Sequence, residues 1–135
     1  MGSRLKQPSV NKGKNFEAKN TGINNIDYPI FCFRYLHSDY SLDVIEDADR
    51  ICFINKLYQF SKMKWQDIQL APKHGMGSEK IARNALKPSI PKEITEDVNF
   101  FLALRYNGKK PIVGFRNGNI FHIVYIDYNF TVYSH

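Results

Sequence analysis

The clearest pattern in the chain lies in residues 99–135, where apolar runs are cut at regular intervals by short polar turns. Asn107-Gly108 and Asn117-Gly118 each separate two such runs, and Asn-Gly is a strong hairpin signal because both residues tolerate positive φ. The pattern predicts strands over 99–106, 109–116 and 119–127, with a fourth over 130–135 reached through Tyr128-Asn129. In this register Phe101, Ala103, Ile112, Gly114, Phe121, Ile123, Tyr125, Phe130 and Val132 share one face, which is the expected core. The other face sets His122 opposite His135 and Val124 opposite Tyr133. Groups able to move protons would then gather on a polar strip.

Upstream, residues 28–37 alternate with apolar groups on both faces, as an inner strand does. Ser41 with Asp43, Glu46 and Asp47 reads as a helix start, and Leu42, Ile45, Ala48, Cys52, Phe53, Leu57 and Phe60 recur at helical spacing, giving a helix over 42–60. Ser61 is the expected cap of a second helix over 64–70, stopped by Pro72, with Trp65 clasping it to the core. Lys73 to Lys80 reads as a loop with two glycines, and 81–92, broken by Pro88 and Pro91, as a connector. The fold class is α+β: an antiparallel four- to five-stranded sheet, in the order β-α-α-β-β-β-β, with helices on one face. Residues 28–135 form one domain behind a flexible basic tail over 1–27, rich in Asn, Lys, Gly and Ser.

Composition narrows the function classes. Of the net charge of +6, the excess sits in residues 62–116, where 11 Lys and Arg face 5 acids. A cationic middle beside a sheet suits a polyanion, with an ordinary solvated surface as the competing account. No apolar run approaches a membrane span and no secretory signal is evident, so a cytoplasmic protein without a membrane partner is expected. Cys32 and Cys52 lack metal-ligand spacing and read as buried free thiols. The Lys73-to-Lys80 loop lacks the full phosphate-loop pattern. No cofactor or metal is implied, and no catalytic triad or carboxylate pair stands out.

The candidate acid-base groups are His122, His135, Tyr133 and His74, the last beside Lys73, Glu79 and Lys80 on the glycine loop. The candidate phosphate-binding cations are Lys73, Lys80, Arg83, Arg105, Lys109, Lys110 and Arg116. The order of strand, two helices and antiparallel meander resembles the RelE/ParE-like toxins of bacterial toxin–antitoxin systems, over residues 28–135. The match lies in topology and in Arg105, Arg116, Tyr133 and His135. That resemblance implies an mRNA interferase, an endoribonuclease acting by metal-free acid-base catalysis, in a toxin–antitoxin or phage-defence system. Its partners would be RNA, including ribosome-bound mRNA, and an antitoxin protein. The chain departs from the family in its glycine loop and basic tail. Two other classes stay open: a non-catalytic nucleic-acid- or protein-binding module, and an inhibitor of a host protein.

Overall fold

The computed structural model describes residues 27–73 and 75–135; residues 1–26, all but the last residue of the expected tail, and His74 lie outside the described residues. Within them the order is β1 (Ile30–Cys32), α1 (Asp47–Ser61), α2 (Trp65–Leu70), β2 (Ser78–Ala82), β3 (Phe100–Asn107), β4 (Lys110–Asn117) and β5 (Ile120–Ile126), with short 3-10 turns between. These strands form one sheet in the spatial order β1-β5-β4-β3-β2. The class is α+β. The sheet is mixed, because β1 pairs parallel with β5 while every other pair is antiparallel.

Three strands differ from expectation. The first, expected as an inner strand over 28–37, is cut to Ile30–Cys32 at the sheet edge, because a turn closed by the Leu36 amide on the Phe33 carbonyl (3.1 Å) ends it. Residues 130–135 form no strand, since β1 occupies the place beside β5 that a last hairpin would take. The chain turns away at Asp127 instead, whose buried carboxylate accepts hydrogen bonds from the Thr131 and Val132 amides (2.9 and 3.1 Å). The missing strand is replaced by β2, drawn from the stretch expected to be loop and connector. Ile81 there is buried and Glu79 shares its face, a period of two that the neighbouring glycines and prolines mask.

The hairpin turns are real but sit one residue late. Gly108-Lys109 and Gly118-Asn119 are the loops, with φ of 59° and 65° at the glycines, the arrangement of a two-residue turn with glycine first. That offset slides each register by two and preserves the faces. A bulge between Arg105 and Asn107 adds a slip of one, which reverses them. Phe101 and Ala103 therefore join Val113 and Phe115 on the side away from the helices, while Leu104 and Tyr106 face the helices with Ile112, Phe121 and Ile123. A second irregularity at Val113/Gly114 puts both Val124 and Tyr125 in the outer layer, with Val132. Phe130 is exposed.

The sheet is thus apolar on both sides and covered on both. Phe53, Phe60, Trp65 and Ile68 of the helices close one side. On the other lie Leu86, Ile90, Ile94 and Val98 of the 83–99 segment, with Tyr35, Tyr40, Val132 and Tyr133. Arg83 pins this segment, its guanidinium donating to the carbonyls of Thr95, Ile94 and Val98 (2.6, 3.0 and 3.2 Å). Trp65 acts as the expected clasp, packed on Phe121 and donating Nε1–H to the Asn119 carbonyl (3.1 Å).

Helix α1 starts five residues later than the apolar spacing suggests. Leu42–Val44 forms a 3-10 turn, held by Arg50 Nε on the Leu42 carbonyl (2.8 Å), and the extended backbone at Ile45 drives that side chain into the core. Ser61 is the last residue of α1 rather than the cap of α2, which Lys64 precedes. Cys32 and Cys52 are free and half-buried. No helix among the described residues is long and apolar enough to cross a membrane.

Asp49 ties α1 to the β3–β4 hairpin, accepting from Lys110 Nζ (2.9 Å) and Asn107 Nδ2 (2.8 Å) while only 6% exposed. Burial pushes its carboxyl up, but the hydrogen bonds from Lys110 and Asn107 and the Lys110 charge outweigh this and hold it below its ordinary value. A lowered carboxylate contributes stability above its unfolded-state pKa, near 4, and that contribution is lost as pH falls through the folded value. Urea denaturation should therefore show Asp49→Ala to be less stable than the parent by about 1–3 kcal/mol at pH 7. The gap should narrow below about pH 4, and an unchanged gap there would contradict this role.

Candidate functional site

Strands β2 and β3 run antiparallel with Glu79 opposite Ala103, so Glu79 stands on the outer face two residues from Arg105 along the neighbouring strand. Arg105 Nη2 donates to Glu79 Oε1 at 2.8 Å, and Lys73 Nζ lies 3.7 Å from Oε2. The segment after β5 brings Tyr133 across the same face, its hydroxyl 3.4 Å from Glu79 Oε1. His135 lies against Tyr133, ring centroids 4.1 Å apart, with Nε2 3.6 Å from Asp127 Oδ2. One carboxylate is surrounded by two cations, with a phenol and an imidazole next in line.

The loop supplying Lys73 is closed on itself, since the Pro72 carbonyl accepts from both the Gly75 and Gly77 amides (3.0 and 2.9 Å). A Cβ on Gly77 would stand 2.2 Å from the Ala71 carbonyl oxygen, so only glycine permits the chain to close so tightly before entering β2.

Arg105 is the unusual member. Its side chain is 6% exposed, yet Nε and Nη1 are buried without a hydrogen-bond partner. A guanidinium carries five N–H donors in a rigid fork, and leaving part of the fork unsatisfied in a dry place is costly. Glu79 remains 26% exposed and reachable from solvent. Burial alone would raise its carboxyl, but the Arg105 hydrogen bond and charge, then Lys73 and Tyr133, outweigh that and hold it below the ordinary range, so it is ionised at neutral pH. Burial pushes the Tyr133 phenol up to about 12, with Glu79 adding to the effect, so it carries its proton at neutral pH.

Of the sequence candidates, the structure brings Lys73, Arg105, Tyr133 and His135 together, around Glu79. It does not bring His122 to them. His122 is on β5, whose neighbours are β4 and β1, and the 130–135 segment crosses toward β2 instead of pairing with it, so His122 and His135 are not opposite one another. The His122 ring stacks on Phe115 (centroids 4.8 Å) and meets the Tyr35 ring at a tilt (5.3 Å). Burial, reinforced by the Arg34 charge, holds its pKa below the ordinary value. His74 lies outside the described residues.

The cations also divide. Arg83 is committed to three backbone carbonyls and Lys110 to Asp49, so both are structural fixtures with little left for phosphate. Lys109 is exposed in its turn. Lys80 lies over the Phe100 ring (4.2 Å) and Arg116 over Trp65 (4.5 Å), away from the Glu79 cluster. Asp127, absent from the sequence candidates, is signalled by its place just after an apolar strand and before Asn129 and Thr131, an Asx-type turn pattern. Among the described residues no group of three His, Cys, Asp or Glu side chains is placed to hold a metal ion. Comparison with protein-family models, with curated proteins and with solved structures returns no match.

Two substitutions separate the electrostatic roles. Glu79→Ala leaves the buried Arg105 charge unpaired and should cost about 3 kcal/mol, the low end for a broken buried pair because Glu79 touches solvent. Arg105→Met replaces the guanidinium by an apolar chain of similar length and should cost less than half as much by the same denaturation assay. The reverse order would show that the pair is held by something other than the Arg105 charge.

Proposed function

We propose that the protein is a toxin-like endoribonuclease that cleaves RNA by acid-base catalysis at the Glu79 cluster, on a fold resembling the RelE/ParE-like toxins. The observation that carries this reading is the arrangement around Glu79: a solvent-reachable carboxylate held by a buried arginine with two unpartnered nitrogens. Such an arrangement is suited to an anion that approaches on the solvent side of Glu79, the Arg105 fork turning outward so that its buried spare donors meet it.

In this reading a backbone phosphate docks on Arg105 and Lys73. Glu79 takes the proton of the adjacent ribose 2′-hydroxyl as O2′ attacks phosphorus. The P–O5′ bond breaks, and the departing 5′-oxygen receives a proton from His135, leaving a 2′,3′-cyclic phosphate and a 5′-hydroxyl end. Asp127 orients the His135 imidazole, while Tyr133 separates acid from base and donates a hydrogen bond. Glu79 is a weak base while Arg105 grips it. Transfer of part of the Arg105 fork to phosphate relieves that grip and raises Glu79 basicity at the moment of attack.

RNA is the substrate, ribosome-bound mRNA being one form of it, and an antitoxin protein is the implied partner. The test is cleavage of a labelled RNA by the purified full chain. At saturating RNA, Glu79→Gln and His135→Gln should each lower the rate roughly a hundredfold or more, while His122→Gln stays within a few-fold of the parent. Products should end in cyclic phosphate. Intact RNA with the parent protein, alone and with ribosomes, would instead favour the non-catalytic binding reading.

A further inference from the structure

A second feature lies at the far end of β3 and β4. Their pairing stops at Leu102 and Gly114; beyond it Phe100 and Phe101 pair only with β2, and Phe115–Asn117 only with β5. Into this parting opens a cleft of about 780 Å³ whose lining includes Tyr35, Lys80, Phe100, Phe115, Arg116 and His122. Phe100 is 44% exposed, an unusual state for a large apolar ring on a strand, and it holds Lys80 against its face. His122 Nδ1 is buried without a partner. Glu93 and Asp97 also line it.

We propose that this cleft binds unpaired nucleotides of single-stranded RNA, with a base stacked on the exposed Phe100 ring and the flanking phosphates on Lys80 and Arg116. Aromatic faces accept any base, and cations alongside follow the backbone. The carboxylates of Glu93 and Asp97 can accept from exocyclic amines or a ribose hydroxyl, and the neutral His122 imidazole can donate or accept at a base edge. A duplex hides its base faces in the stack and cannot use Phe100 this way. The inference takes the identity of its ligand from the RNA reading above. It does not require the Glu79 cluster to be catalytic.

The experiment measures anisotropy of a short, labelled, mixed-sequence oligoribonucleotide against the full chain carrying His135→Gln, which leaves the Glu79–Arg105 pair in place but suppresses cleavage. Single-stranded RNA should bind at least tenfold more tightly than its duplex. Phe100→Ala should weaken the single strand roughly tenfold. Lys80→Gln and Arg116→Gln should each flatten the dependence of log affinity on log salt by about 0.7. All three side chains are exposed enough for the variants to fold, which circular dichroism would verify. Equal affinity for duplex and single strand, or unchanged single-strand binding in Phe100→Ala and Arg116→Gln, overturns the proposal. Binding that depends on these residues without cleavage by the parent protein would support the cleft and remove the nuclease reading alone. Cleavage with binding indifferent to them would do the opposite.

Discussion

A sheet that is apolar on both faces has to be covered on both, and this chain offers only two helices among its described residues, both on the same side. The uncovered face is closed by irregular backbone instead: the 83–99 segment and the residues after β5. Irregular cover needs its polar groups satisfied locally. That need explains why Arg83 is spent on three carbonyls and why a fully buried Asp127 receives two backbone amides. Polar and charged groups consequently concentrate on the outer face, and the Glu79–Arg105 pair lies at its margin.

The position of that pair gives the proposed chemistry its character. Arg105 is buried because it follows Ala103 and Phe101 onto a packed face. Its charge is tolerated because Glu79 from β2 reaches it. In the sheet interior such a pair would be closed to solvent; on an edge strand the carboxylate stays accessible. The cleft between the parted ends of β3 and β4 lies at the other end of the same strands. A substrate strand that used both features would be held by base stacking at one end and by phosphate contacts at the other. These interactions respond differently to salt.

Much of this was legible in the residues, for identifiable reasons. The Asn-Gly pairs marked both hairpins because a positive φ is a backbone demand that few residues meet. Apolar spacing marked both helices, expected over 42–60 and 64–70 and found over Asp47–Ser61 and Trp65–Leu70, the first beginning five residues late. What could not be read was register. A single bulge at Arg105/Asn107 sends Phe101 and Ala103 to the opposite face, and apolar residues on both faces leave nothing in the pattern to reveal it. The strand Ser78–Ala82 was hidden by the glycines before it and the prolines after it. The parallel pairing of β1 with β5 was hidden by its length of three residues. Lys73, Arg105, Tyr133 and His135 were identifiable as chemistry-bearing residues. That they meet around Glu79, with His122 elsewhere, depends on a crossing of the last segment that no local signal encodes.

The way that last segment is held has one more consequence. Residues 128–135 have no strand partner and are attached through the Asp127 carboxylate, the Lys87–Val132 and Tyr40–Thr131 hydrogen bonds and the buried Val132 and Tyr133 side chains. In physical terms they are a short peptide ligand bound to the body of its own protein by a covalent leash. Its contacts with Glu79 and the outer face are intramolecular, so even weak ones are populated as though the peptide were present at about millimolar concentration. Tyr133 and His135 can thus be kept at the cluster without the rigidity of a strand.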